Sequence, residues 1–160
     1  MIGDFYMARV LIVDDTVIFR QKLKHILENE GHEVIGQAAN GLQAAVKYKE
    51  LKPDLVTMDI VMAESDGIDG IQRIKSNDPN AEILVVSSVR EKEIVMHALS
   101  EGAHAYVLKP FEPVKIITTL ENMGFKIDQV ERDRINELKR LKKINDNTSM
   151  QLSNLKNSTK

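Results

Sequence analysis

Short runs of apolar residues alternate along the chain with longer segments in which apolar residues recur every three or four positions. The first run covers residues 9–13, and the segment 16–30 behind it places Phe19, Leu23 and Ile26 at helical spacing. Strands are predicted in the same way at 33–38, 54–58, 82–87 and 105–108, and helices at 42–51, 67–76, 91–101 and 113–123. The pattern therefore predicts five strands that alternate with five helices.

The predicted strands are apolar on both faces, as in the run 83–86. This pattern is typical of a parallel sheet that helices cover on both sides. We therefore predict an α/β fold in which a doubly wound, five-stranded parallel sheet is the middle layer of a three-layer sandwich. Ligands of such folds bind outside the carboxyl ends of the strands. Polar residues at those ends are thus the first candidates for a functional site.

Four of the five predicted strands deliver a polar side chain to this edge. Asp14 and Asp15 follow the first strand, Asp59 follows the third, Ser87 ends the fourth, and Lys109 follows the fifth. Three carboxylates that meet at one edge repel one another, and a hard divalent cation with oxygen ligands relieves that repulsion. The sequence therefore predicts a Mg²⁺ site among the acidic residues.

The same set of side chains indicates chemistry on a phosphoryl group. Lys109 can pair with a carboxylate or with a phosphoryl oxygen, and the Ser87 hydroxyl can contact another such oxygen. A carboxylate that attacks phosphorus gives an acyl phosphate, and the central Asp59 is the expected nucleophile. The competing hypothesis, a phosphatase of the haloacid dehalogenase type, needs a second acid two residues after the nucleophile. That position is Val61, which cannot protonate a leaving group.

Several short motifs resemble the receiver domains of response regulators in two-component systems. They are Val13-Asp14-Asp15, Met58-Asp59-Ile60-Val61-Met62 with Asp66-Gly67 behind it, Ser87, Tyr106 and Lys109-Pro110-Phe111. The resemblance extends from Ala8 to about Met123. Within the family, the chain most resembles the chemotaxis regulators, which have a flavodoxin-like fold.

The resemblance implies a metal site and a phosphoacceptor. Asp14 and Asp15 would hold Mg²⁺ together with Asp59 and the backbone carbonyl of Val61. Asp59 would accept a phosphoryl group from a histidine kinase. The chain would then be a signalling protein that catalyses only its own phosphorylation and dephosphorylation, rather than an enzyme with a separate substrate.

The resemblance also implies how the signal leaves the domain. Lys109 and Ser87 would stabilise the phosphoryl group, and Ser87 with Tyr106 would form the switch pair. The output would be a protein contact of the fourth helix, fifth strand and fifth helix with a target such as a flagellar motor switch protein, in chemotaxis or motility control. The alternative within the family is a degenerate receiver that keeps the fold and no longer takes phosphate.

One residue departs from the family pattern. Ala63 stands four residues after Asp59, where the family usually has proline. Because proline restricts the backbone, alanine is expected to leave this loop looser. The departure bears on the kinetics of phosphorylation, since the rest of the motif is intact.

Composition and charge limit the other possibilities. The chain has 160 residues, no cysteine and four scattered histidines, which argues against disulfides, thiolate chemistry and structural zinc. No apolar run is long enough to span a bilayer, and residues 1–6 lack the pattern of a signal peptide, so we expect a cytoplasmic protein without membrane contact. The net charge of −2 is unevenly divided, with −6 over residues 1–124 and +4 over 125–160.

Three parts are predicted along the chain. They are an N-terminal extension at 1–7 that is expected to be disordered, a receiver domain at 8–124, and a charged helical tail at 125–160. We expect the tail to continue the fifth helix, to be helical over about 127–144, and to fray beyond that point. Its 36 residues are too few for a DNA-binding or cyclase output domain.

The predicted tail carries a broken apolar stripe. One heptad frame places four leucines at a and d positions: Leu138, Leu141, Leu152 and Leu155. Asn145 and Thr148 occupy the a and d positions between them. A short coiled coil between two copies and a tail that folds back on its own receiver both fit this pattern. A third hypothesis makes the basic cluster 139–143 an output that contacts a partner or nucleic acid, although a solvated helix face accounts for such a cluster better.

Overall fold

The computed structural model describes residues 6–127 and 129–158 and contains the predicted sheet with helices on both sides. The strands are β1 (Arg9–Val13), β2 (Glu33–Ala38), β3 (Leu55–Met58), β4 (Ile83–Ser87) and β5 (Ala105–Leu108). The helices are α1 (Val17–Asn29), α2 (Gly41–Leu51), α3 (Gly67–Asn77), α4 (Lys92–Ser100), α5 (Pro113–Asn122) and α6 (Gln129–Asn157). The predicted α/β fold with a five-stranded parallel sheet and a C-terminal helical extension is confirmed.

The order of the strands creates a crevice at the edge predicted to hold the site. All four strand pairs are parallel, and the sheet order is β2-β1-β3-β4-β5. The connection from β1 leads to the outer strand β2, whereas the later strands continue on the other side of β1, so the order reverses between β1 and β3. The register pairs Val13 of β1 with Met58 of β3. The residues that follow them, Asp14 and Asp59, are therefore neighbours.

Two hydrophobic layers hold the sheet between its helices. Alternate residues of each strand point to opposite faces, so Leu11 packs in one layer and Ile12 in the other. The first layer includes buried residues of α2, α3 and α4, such as Ile71. The second includes buried residues of α1 and α5, such as Leu27 and Ile116. Both faces are apolar because both are covered, and this leaves the strand ends as the place for polar groups.

The last residues before the tail belong to the second layer. Phe125 is buried in it, and its ring lies 6.1 Å from that of Tyr6. The Tyr6 amide donates to the Lys126 carbonyl at 2.7 Å, and its hydroxyl donates to Asp54 at 2.8 Å. Most of the segment predicted to be disordered, residues 1–5, lies outside the described residues.

The tail differs from the sequence-based expectation at both ends of its helix. It does not continue α5, because the chain turns after Asn122 and Gly124 adopts a φ of 96°, a left-handed conformation that ends helices. Helix α6 also runs through Asn145 to Asn157. Thr148 donates its hydroxyl to the Ile144 carbonyl at 2.9 Å, so this polar side chain is satisfied within the helix instead of breaking it.

The chain divides into two compact units, with the boundary after Lys126. The first unit contains the sheet and α1 to α5, and the second contains α6. Within the described part of the chain, none of the helices combines the length and apolar character that crossing a membrane requires.

Candidate functional site

Three carboxylates meet where β1 and β3 end. Asp14 and Asp15 directly follow β1, and Asp59 directly follows β3, held there by a hydrogen bond from its amide to the Val13 carbonyl at 2.9 Å. One carboxylate oxygen from each of the three lies within 4.8 Å of the others. Asp14 and Asp59 are buried, whereas Asp15 is exposed. The structure therefore brings the predicted acidic residues together at the predicted edge, with one side open to solvent.

Lys109 supplies a buried positive charge to this acidic group. Its Nζ donates to Asp14 Oδ2 at 2.5 Å and to Asp59 Oδ2 at 3.1 Å. Lys109 is the first residue after β5, and its amide donates to the Ser87 carbonyl at 2.9 Å, which fixes its backbone against β4. The peptide bond between Lys109 and Pro110 is cis. A buried ammonium requires such pairing, because an unpaired charge would carry a large desolvation cost.

The balance of charges leaves Asp59 poorly stabilised as an anion. Burial raises the pKa of Asp59 above its ordinary value. The neighbouring Asp14 also raises it, while Lys109 acts in the opposite direction through its charge and its hydrogen bond. Lys109 bonds two of the three carboxylates, Asp14 and Asp59, so further positive charge would stabilise the ionised site.

The acidic group fits a hard divalent cation such as Mg²⁺. Its donors are carboxylate oxygens close enough to share one ion, and one of the three, from Asp15, faces solvent, which suits a metal that keeps several waters. Asp14, Asp15 and Asp59 are the residues that would hold it. The Val61 amide lies 3.3 Å from Asp59 Oδ1, so the loop that carries the predicted carbonyl ligand folds over the phosphoacceptor position.

Ser87 and Tyr106 both contact the loop between β4 and α4. Ser87 is fully buried at the end of β4, and its Oγ accepts a hydrogen bond from the Val89 amide at 3.3 Å. The Tyr106 hydroxyl donates to the Val89 carbonyl at 2.8 Å. Burial raises the pKa of Tyr106, so its hydroxyl stays protonated and remains a donor. The two residues predicted to form a switch pair are thus joined through Val89.

Hydrogen bonds tie the loop between β3 and α3 to its surroundings. The Ala63 amide donates to Asp15 Oδ2 at 3.0 Å. Two residues later, Ser65 Oγ accepts a hydrogen bond from the Gly41 amide at 2.7 Å, which fastens the loop to the start of α2. The first of these bonds needs an N–H group at position 63, which a proline would lack. Alanine at this position therefore adds a contact to a predicted metal ligand.

Gly67 lets α3 begin directly against the end of β3. A Cβ atom at this position would lie 1.9 Å from the carbonyl oxygen of Asp59, closer than any side chain can approach. The Gly67 amide donates to the Ile60 carbonyl at 2.8 Å. Asp66 caps the helix by accepting a hydrogen bond from the Ile68 amide at 2.8 Å. The Asp66-Gly67 pair thus holds the backbone around Asp59.

Sequence reasoning missed two residues that position the site from α1. The Phe19 ring lies under the ammonium group of Lys109, with 4.0 Å from Nζ to the ring centroid, a cation–π contact. Arg20 donates to the Asp14 carbonyl at 2.6 Å and to the Gln37 side chain at 3.0 Å. Helical spacing assigned Phe19 to the core only. The signal for Arg20 was weak, because one arginine on an exposed helix turn has no distinguishing pattern.

Comparisons with known proteins agree with this geometry. The family described as response regulator receiver domain matches residues 10–121. The chemotaxis protein CheY of Thermotoga maritima is 48% identical over 116 residues, which cover 72% of this chain and 97% of that protein. The chemotaxis protein CheY of Listeria monocytogenes is 38% identical over 115 residues, with 72% and 97% covered.

Solved structures of related proteins are also similar to this chain. The crystal structure of the CheX-CheY-BeF3-Mg+2 complex from Borrelia burgdorferi is similar with a TM-score of 0.70 and 34% identity, covering 72% of this chain and 87% of that chain. The response regulator domain of Thermotoga maritima CheB is similar with a TM-score of 0.62 and 34% identity, covering 88% and 95%. The chain belongs to the response regulator receiver family of two-component systems and is CheY-like.

Proposed function

We propose that the chain is a phosphorelay response regulator that accepts a phosphoryl group on Asp59 from a histidine kinase in a Mg²⁺-dependent reaction. One observation carries the proposal: the buried Asp59 carboxylate is bonded to the ammonium group of Lys109 and lies in one group with Asp14 and Asp15. This arrangement offers a nucleophile, a cation for the incoming phosphoryl oxygens, and ligands for a metal ion.

The proposed reaction transfers the phosphoryl group from nitrogen to oxygen. An Asp59 oxygen forms a bond to phosphorus as the P–N bond of the kinase phosphohistidine breaks, and the electron pair leaves with the histidine nitrogen. Magnesium, when bound by Asp14, Asp15, Asp59 and the Val61 carbonyl, supplies charge neutralisation for the phosphoryl oxygens. Hydrolysis of the aspartyl phosphate later returns the chain to its starting state. The chain would thereby catalyse only its own phosphorylation and dephosphorylation.

Lys109 and Ser87 would contact the transferred group. Lys109 Nζ already bonds Asp59 Oδ2 at 3.1 Å, so it can exchange that bond for one to a phosphoryl oxygen. The Ser87 hydroxyl would turn from Val89 toward a second oxygen. Because Tyr106 is bonded to the same residue, Val89, movement of this loop would change the position of the Tyr106 ring. This is the proposed switch.

The proposed output surface consists of α4, β5 and α5. Four large apolar side chains on these elements are exposed: Ile94, Met96, Leu108 and Val114. Exposed apolar groups of this kind suit a protein partner. The chemotaxis relatives favour a target in motility control, such as a flagellar motor switch protein.

Beryllium fluoride, which stands in for a phosphoryl group, tests the proposal. Binding should require both Mg²⁺ and Asp59, so Asp59→Asn should abolish it, while Asp69→Asn on the outer surface of α3 should leave it intact. Labelling by acetyl phosphate should follow the same pattern. If Asp59→Asn is labelled to the same extent as the natural chain, the assignment of the nucleophile is wrong.

A further inference from the structure

Helix α6 carries an exposed apolar stripe from Leu138 to Leu155. Two pairs of leucines occupy a and d positions of one heptad frame, and polar residues take the a and d positions between the pairs. The leucines are Leu138 with Leu141 and Leu152 with Leu155. Each of them is more than half exposed, and none of the residues 129–157 is buried. A helix exposed in this way gains little stability from its own hydrogen bonds in water. Something that covers the stripe would therefore stabilise it.

We propose that the stripe binds the same stripe of a second copy of this chain, in a parallel, in-register coiled coil. The seam would begin at Leu138 and end near Asn157. It cannot extend toward the start of α6, because Glu131 and Arg134 occupy the a and d positions there. The pairing would thus involve only the part of the helix from Leu138 onward and would be weak.

Charge complementarity favours a parallel partner. In the heptad frame, Glu137 is a g position and Lys142 is the e position five residues later, so in a parallel pair each Glu137 faces the Lys142 of the other helix. Glu137 also lies 3.7 Å from Arg140 of its own helix, but such an exposed pair contributes little and leaves the carboxylate able to turn. An antiparallel pairing that matches the same leucines would place Glu137 opposite Ser158 and Lys142 opposite Ser149, so neither charge would meet an opposite charge.

The polar residues of the stripe also suit two parallel copies. Asn145 lies at an a position, where in a parallel pair it meets the Asn145 of the other chain and can share a hydrogen bond with it. A buried asparagine at one a position favours two strands in a single register, at some cost in stability. The basic residues Lys139, Arg140 and Lys143 fall at b, c and f positions on the outer face. They therefore do not repel each other across the seam.

Sedimentation equilibrium of the full chain, over a wide range of concentrations, tests the proposal through a charge swap. The natural chain should show a monomer–dimer equilibrium. Glu137→Lys and Lys142→Glu should each weaken it by about tenfold, because each variant places like charges opposite one another twice per dimer. An equimolar mixture of the two variants restores both opposite-charge pairs and should dimerise about as well as the natural chain. Lys143→Glu, at the outermost position, should have no effect.

Two further results would overturn the proposal. The first is that the full chain has a monomeric mass at all concentrations. This is expected if the stripe folds back on its own chain, or if it binds another protein or a nucleic acid, whose addition would then raise the mass. The second is a mixture that associates no better than either variant alone, which would exclude the parallel seam. Circular dichroism of each variant confirms that the α/β unit is folded, so loss of dimerisation is not mistaken for unfolding.

Discussion

Asp59 is a carboxylate that the fold holds in an environment better suited to its neutral form. Burial raises its pKa, and the hydrogen bond from Lys109 offsets only part of that effect. In the absence of metal, ionised Asp59 therefore reduces the stability of the native state. The same destabilised anion favours reaction with an electrophile or binding of a cation, and this links the stability of the chain to its proposed chemistry.

Asp59→Asn should stabilise the metal-free protein in a pH-dependent way. Because the pKa of Asp59 is higher in the folded than in the unfolded chain, the native state binds the proton more tightly, and the stability of the natural chain falls as pH rises between the two values. Asparagine does not ionise, so the Asp59→Asn variant does not lose stability in this way. In EDTA, urea unfolding should give similar free energies of unfolding for the natural chain and Asp59→Asn at low pH. At neutral pH the variant should be the more stable of the two. Asp69→Asn should show no such trend, and a difference independent of pH would contradict the interpretation.

Ala63 gives a second test at single-residue scale. Its amide donates to Asp15, so Ala63→Pro should remove a hydrogen bond that orients this proposed metal ligand. A bond of this kind contributes about 1 kcal/mol, which corresponds to about a fivefold weaker affinity for Mg²⁺. Titration calorimetry would measure this, with Ala63→Ser as the control that keeps the N–H group. Equal affinities for all three proteins would show that the amide does not orient Asp15.

At the scale of elements, the contact between β3 and α3 fixes the backbone of Asp59, the proposed nucleophile. The first turn of α3 approaches the backbone of Asp59 so closely that only glycine fits at position 67. A displacement of the start of α3 would therefore move the backbone of Asp59, the residue proposed to be phosphorylated. The contact also accounts for the position of glycine directly after the capping residue Asp66.

Gly67→Ala should therefore damage both the fold and the site. The added methyl group forces β3 and α3 apart, which we expect to cost about 2 kcal/mol in the free energy of unfolding. Gly36→Ala is a suitable control, because its Cβ would meet only the flexible ends of the Leu51 and Leu11 side chains. Urea unfolding and beryllium fluoride binding would measure the two effects. A Gly67→Ala variant that binds beryllium fluoride like the natural chain would contradict the role assigned to this contact.

Most of the elements could be predicted because their patterns are local. Apolar runs and helical spacing reflect the faces that each segment buries, and the rule for parallel strands then placed Asp14, Asp59 and Lys109 at one edge. What could not be predicted depends on contacts between distant segments. The ring of Phe19 meets Lys109 only because the start of α1 and the segment between β5 and α5 come together in the fold, and no local pattern records that. The course of α6 through Asn145 was missed because weak helix formers do not by themselves end a helix, and the nearby Thr148 and Ser149 hydroxyls find partners on carbonyls one turn back.

For the whole molecule, the structure suggests where the receiver ends. Phe125 is buried against the second hydrophobic layer, and the Lys126 carbonyl is bonded to Tyr6 near the start of the chain. We propose Lys126 as the last residue of the receiver, two residues beyond the boundary expected from the sequence.

Two truncated chains test this boundary. A chain that ends at Met123 loses Phe125 from the core and should be about 3 kcal/mol less stable than one that ends at Lys126. Phe125→Ala in the full chain should show a loss of similar size. The chain that ends at Lys126 should bind Mg²⁺ and beryllium fluoride normally, because every predicted site residue lies within it. Equal stability of the two truncated chains would place the boundary before Phe125.

The wide spacing of the site residues along the chain has a consequence for folding and synthesis. Lys109 is separated by 95 residues from Asp14 and by 50 from Asp59, so the group forms only when β5 has joined the sheet. Contacts between such distant residues are costly to form early in folding. A chain still on the ribosome, without β5, has the acids but lacks the lysine that pairs with them. If Asp59 is the phosphoacceptor, its phosphorylation would therefore require the completed, folded chain, because Lys109 joins the group last.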